Sequence, residues 1–104
     1  MIDLTKIEQE EMKPVYLVLA IYDVRDIESE NGKELDQIII NQEILDMIDT
    51  INFTYVKDAL EPTDVIKKVG YLMNLKVYLD PHRKSNNIIF TNDKQEICEL
   101  EVKF

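Results

Sequence analysis

One cysteine, one histidine, two glycines, three prolines and no tryptophan occur in 104 residues. A lone cysteine excludes an internal disulfide framework, and a lone histidine excludes a histidine-rich metal site within one chain. Gly32 and Gly70 stand too far apart to form the glycine run that cradles a phosphate. The longest unbroken apolar stretch, Val15 to Tyr22, has eight residues, whereas about twenty are needed to cross a bilayer. No basic segment followed by an apolar one opens the sequence, so export is not expected. What remains is 45% apolar and 32% charged, the make-up of an ordinary folded domain, and the length fits one domain rather than two.

Basic charge is also scarce. Twenty-one acids against twelve bases leave a formal charge of −9. Residues 1–36 hold ten acids and four bases, residues 37–70 six and three, and residues 71–104 five and five. The excess therefore sits in the first two-thirds. Non-specific nucleic-acid binding needs a basic footprint that displaces counterions, and an anionic membrane repels an acidic chain; direct contact with either is not expected. The acid excess has two readings. One is a solvated surface, which keeps a small domain soluble. The other is a mimic of the phosphate backbone, with Asp23, Asp26, Glu28 and Glu30 on one face, interrupted by Arg25.

Thr5-Lys6-Ile7-Glu8 has the spacing of a capping box and opens a short helix to about Met12. Pro14 suits the first turn of a second helix, where its missing N–H has no partner in any case. Leu17, Ala20 or Ile21, Val24 and Ile27 recur at three and four residues, which predicts a helix up to Glu30-Asn31-Gly32, with Gly32 at positive φ. A buried strand over Val15–Tyr22 is the rival reading, since Val, Ile and Tyr favour strands. Ile38-Ile39-Ile40 reads as a strand buried on both faces. Asn41 is an N-cap candidate for a helix whose apolar face is Ile44, Leu45, Ile48 and Ile51.

The remainder predicts strands. Phe53 to Val56 is a short strand or extended connection, and Glu61-Pro62-Thr63-Asp64 is a turn. Strands are predicted at Val65–Gly70 and Leu75–Leu79 about a bend near Asn74, with Leu75, Val77 and Leu79 on one face. Asp80–Asn87 is an exposed loop. Ile88–Phe90, a turn at Asn92-Asp93, and Ile97 to Phe104 follow, the last with Cys98, Leu100, Val102 and Phe104 on one face. The expected architecture is a single α+β domain over residues 1–104. Two or three helices, mainly in the first half, pack on a mixed or antiparallel sheet formed mainly by the second.

Motifs that could carry chemistry are few. Asp80 and His82 offer two metal ligands where zinc needs three or four. Glu28-x-Glu30-Asn31-Gly32 approaches a calcium loop, but its glycine is fifth and its twelfth residue is Ile39. Cys98 shares a face with Leu100 and Val102 beside Glu99, the setting of a buried, inert thiol with a raised pKa rather than a nucleophile. No catalytic residue, metal site or cofactor is expected, and an enzyme is the least supported class. Asp80-Pro81-His82-Arg83-Lys84 is the basic island of an acidic chain. Besides being a solvated loop, it can dock the acidic first half of a neighbouring copy. Asp80, His82, Arg83 and Lys84 are thus the candidate protein-contact residues.

The order helix, Ile38-Ile39-Ile40-Asn41, helix through Ile51, then Gly70-Tyr71-Leu72-Met73-Asn74-Leu75-Lys76-Val77-Tyr78-Leu79-Asp80-Pro81 and a strand at Asn87–Phe90, resembles the axial domain of tailed-phage major capsid proteins of the T-even type. The resemblance covers about residues 14–92 and is nearest to literal at Gly70 and Val77–Pro81. It implies a non-catalytic structural or assembly protein of virion or host cytoplasm, with capsid subunits or copies of itself as partners and loops gathered about a local symmetry axis. The peripheral domain, backbone helix and arms of those subunits have no counterpart in 104 residues. The basic run that often precedes the Ile-Ile strand there is Glu28-Ser29-Glu30-Asn31-Gly32-Lys33-Glu34 here. The second function expected is a small acidic inhibitor of a host protein, acting as a nucleic-acid mimic.

Overall fold

The computed structural model describes residues 13–103. The helix predicted from Thr5 to Met12, and Phe104, lie outside them. The elements run α1 (Lys13–Glu30), β1 (Gln37–Ile40), α2 (Gln42–Ile48), β2 (Phe53–Tyr55), β3 (Lys67–Leu72), β4 (Leu75–Leu79), β5 (Ile88–Thr91) and β6 (Ile97–Leu100). The strands form one sheet in the order β2-β3-β4-β1-β5-β6. It is mixed: β1 runs parallel to β4, and the other neighbours are antiparallel. This is the expected α+β architecture, with the first-half strand β1 at the centre of a sheet otherwise built by later residues.

Val15–Tyr22 is helical, as the three-and-four spacing predicts, and Pro14 occupies the first turn. The helix closes with Gly32 at φ 89°, Gly32 N–H donating to the Ser29 carbonyl (3.0 Å) and Lys33 N–H to that of Glu28 (2.8 Å). That pair of bonds satisfies carbonyls the helix end leaves orphaned. The buried stripe departs from the prediction. Leu17, Val18 and Ile21 are buried and Val24 packs beside them, but Ile27 is 56% exposed. At 100° per residue, Glu28 rather than Ile27 continues the line of Leu17, Ile21 and Val24.

Both helices pack on one face of the sheet, where Leu17, Ile21, Ile44, Leu45 and Ile48 join Ile38, Ile40, Leu75, Val77, Ile88 and Phe90 in one buried cluster. Ile39, on the other face, is only half-buried. The strand expected to be covered on both faces is covered on one. Asn41 caps α2, its side-chain oxygen accepting from Ile44 N–H at 2.9 Å. The turn expected at 61–64 begins earlier, at Lys57–Leu60, and the loop runs on to Ile66. β3 therefore starts at Lys67 rather than Val65 and continues to Leu72, where the two-residue turn Met73-Asn74 leads into β4. The final strand ends at Leu100 rather than continuing to the terminus, although Val102 is still buried.

Candidate protein-contact site

The basic loop leaves the sheet at the end of β4. Asp80 N–H donates to the Ile40 carbonyl at 2.9 Å, extending the parallel pairing by one residue. The Asp80 carboxylate then accepts from His82 N–H at 3.0 Å, and its carbonyl accepts from Arg83 N–H at 3.3 Å. Such a side-chain turn is what an aspartate before proline provides. Asp80 is half-buried and its carboxylate serves this turn. His82 Nε2 lies 2.7 Å from the Asp64 carbonyl; a carbonyl only accepts, so the ring donates from Nε2. That bond ties the loop to residues 57–66.

Arg83 Nε donates to the Asn87 carbonyl at 3.1 Å, which leaves the rest of its guanidinium directed away from that bond. Lys84 is exposed, and its ammonium makes no bond or ion pair among the described residues. Of the four predicted contact residues, Asp80, His82 and Arg83 take part in bonds that shape or tether the loop, and Lys84 is the exposed charge. From beneath, Asn41 Nδ2 donates to the Ser85 carbonyl (3.1 Å) and to Asn86 Oδ1 (2.6 Å). Asn87 Oδ1 accepts from Val102 N–H at 3.2 Å. The loop read from the sequence as simply exposed is thus exposed at Pro81, His82, Lys84 and Ser85, while Arg83, Asn86 and Asn87 are half-buried. Asn41 as a clamp on this loop is invisible to capping rules, because its amide end meets residues more than forty positions away.

The loop at 57–66 is the neighbour that sequence reading missed. Leu60, Val65 and Ile66 are 75%, 62% and 50% exposed. β propensity draws Val65-Ile66 into a strand, but Lys67 fastens the loop instead: its Nζ donates to the Asp58 carbonyl (3.1 Å) and the Glu61 carbonyl (2.6 Å). An open groove of about 540 Å³, lined by Tyr55, Val56, Ala59, Leu60 and Pro62 with Asp58 and Glu61, lies beside it. A smaller pocket joins Leu60, Pro62 and Thr63 to Pro81 of the basic loop.

Elsewhere the titratable groups are dispersed. On α1, Asp23, Asp26 and Glu30 share the exposed side, whereas Glu28 turns inward, its side chain 20% exposed. Arg25 stacks over Tyr22, 4.9 Å from the ring centroid, and pairs with Asp26 at 3.2 Å. Cys98 is only partly buried. Burial, then the adjacent Glu28 carboxylate, push its thiol pKa up, whereas the Glu99 backbone acts in the opposite direction. The direction matches the expectation and the responsible carboxylate differs. No group of three or more metal-ligating side chains gathers among the described residues, and no described helix is long and apolar enough to cross a membrane.

Compared with protein-family models, with curated proteins and with solved structures, the chain finds no match in any of the three.

Proposed function

We propose that this protein is a phage-type structural or assembly protein that works through protein–protein contacts, in the manner of a capsid axial domain. The observation that carries the reading is the loop at 80–87. It is held from below by Asn41 and from the side by the His82–Asp64 bond; its Pro81 lines a shared pocket with Leu60, and it carries Arg83 and the exposed Lys84. A preorganised apolar and basic surface suits docking, because little ordering cost is left for the moment of binding. Two of the stretches in the capsid resemblance, β1 and β4, lie side by side at the sheet centre, and β4 leads into this loop. The partner is a shell subunit or another copy, bound by an acidic surface opposite Arg83 and Lys84.

The second reading, an acidic inhibitor, draws support from Asp23, Asp26 and Glu30 on one side of α1. It is weakened by Arg25, which neutralises Asp26. Affinity recovery of the tagged protein from infected-host lysate, at low and moderate salt, separates them. Shell subunits recovered at both salts, and lost with the Arg83→Glu, Lys84→Glu chain, are the expected result. A single basic nucleic-acid enzyme, released as salt rises, overturns the shell reading in favour of the inhibitor.

A further inference from the structure

The face of the sheet away from the helices carries two ordered rows of side chains. Strand pairing places Lys68, Tyr78, Ile39, Ile89 and Glu99 in one row across β3, β4, β1, β5 and β6. The next row is Thr54, Tyr71, Lys76, Gln37, Thr91 and Ile97. Both described helices bury their apolar residues in the cluster on the opposite face. Ile39, Ile89, Tyr71 and Tyr78 are only partly buried and Ile97 is 65% exposed. A solvated sheet face ordinarily alternates to polar residues at such positions. The uninterrupted runs Ile38-Ile39-Ile40 and Ile88-Ile89-Phe90 are instead those of strands buried on both faces, and the described helices cover only one.

We infer that a second copy of this chain covers this face, sheet against sheet, about a two-fold axis parallel to the strands. The charges select that occupant and that axis. The first row is basic at one end, apolar in the middle and acidic at the other. Rotation about the strand direction reverses it on its copy. Lys68 then meets the partner's Glu99, Tyr78 meets the partner's Ile89, and Ile39 meets its own counterpart. In the second row Tyr71 falls on the partner's exposed Ile97, and Lys76 on the partner's Thr91. No like charges oppose each other in either row. An axis along the rows instead sets Lys68 on Lys68 and Glu99 on Glu99, which is repulsive in both pairs.

The match is self-complementary, the requirement of an isologous interface, and face-to-face packing of two sheets is an established architecture. Charge also explains why this face suits a copy of so acidic a chain. Its two rows hold Lys68, Lys76 and Glu99, and with Asp36 beside Lys76 at 3.8 Å the face is close to neutral in a molecule of net charge −9. This surface meets the 80–87 loop where Glu99 Oε2 accepts from Asn87 Nδ2 at 3.3 Å, and it stands whether or not the shell reading does.

Sedimentation of the purified full chain from micromolar to millimolar concentration tests the inference, with circular dichroism reporting the fold of every variant. A monomer–dimer equilibrium is expected. Ile89→Thr, which keeps a β-branched side chain on the strand, weakens it by about tenfold or more. Lys68→Glu alone and Glu99→Lys alone each weaken it, and the chain carrying both restores it, because each copy again opposes unlike charges. A monomer at all concentrations overturns the inference. A dimer indifferent to Ile89→Thr places the interface elsewhere and overturns it too. Failure of the double charge exchange to restore association overturns the two-fold arrangement. Recovery of shell subunits, which reports on the loop, is independent of the concentration series and of Ile89→Thr.

Discussion

Gly70 and Gly32 are both single glycines in a chain with few, yet they answer to different physics. At Gly70 a Cβ would run into the Thr54 carbonyl oxygen and come within 2.8 Å of the Phe53 ring, residues of the neighbouring strand β2, whose Tyr55 pairs with Gly70. At Gly32 there is open space, and only its φ of 89° discourages a side chain. Gly70→Ala is therefore expected to cost about 1–3 kcal/mol through overpacking against backbone, and Gly32→Ala about 1 kcal/mol through backbone conformation alone. Chemical denaturation of the two variants measures the difference. If both lose the same stability, the close approach at Gly70 is not the cause. Cys98 offers a second check at this scale. Burial and Glu28 hold its thiol protonated, so alkylation at pH 8 is expected to be slower in the folded chain than in urea. Glu28→Gln removes a negative charge and a hydrogen-bond acceptor, lowers the thiol pKa and speeds the reaction. An unchanged or slower rate in that variant would remove Glu28 from the account.

Among the elements, α2 and the 80–87 loop are joined through one side chain. Asn41 is buried, accepts from Ile44 N–H with its oxygen and donates twice to the loop with its nitrogen. Asn41→Ala is expected to cost about 2 kcal/mol, since both the cap and the buried partners are lost. Asn41→Asp separates the two duties. The carboxylate still caps the helix but cannot donate to Ser85 and Asn86. Amide hydrogen exchange should then rise across residues 81–87 while α2 stays protected. Equal loosening of both elements would show that the clamp and the cap are not separable. If the proposed docking by this loop holds, Asn41→Ala, which loosens the loop without adding charge to it, should weaken recovery of the partner.

At the scale of the whole molecule, β1 is the member on which the rest depends. It pairs with β4 on one side and β5 on the other, and Ile38 and Ile40 are fully buried beneath the helices. Every half of the sheet reaches the other through these four residues. Ile38→Ala is expected to cost about 2–5 kcal/mol, and to lower the thermal midpoints of the helical and aromatic circular dichroism signals together. Two separated transitions would mean that β5-β6 and β2-β3-β4 unfold independently and that the chain is not one cooperative unit. The dispersed acids belong to this scale as well. A net charge of −9 opposes contact between copies unless bases of one meet acids of the other.

The helix through Val15–Tyr22, the turn at Gly32, the cap at Asn41, the strands β1, β4 and β5 and the α+β class were all legible in the sequence. Each rests on spacing or on backbone chemistry confined to a few neighbouring residues. Ile27 was misplaced because a run of apolar residues leaves the direction of a helix undecided until another layer lies against it. Val65 and Ile66 were misplaced because strand propensity counts for less than the two carbonyls that Lys67 gathers. Tertiary structure alone decided that β1 and β4 run parallel, that Asn41 holds a loop more than forty residues away, that Glu28 faces Cys98, and that Lys68 and Glu99 end one row. These are contacts between distant segments, and their partners are chosen by how layers close over a shared core, not by any pattern local to the chain.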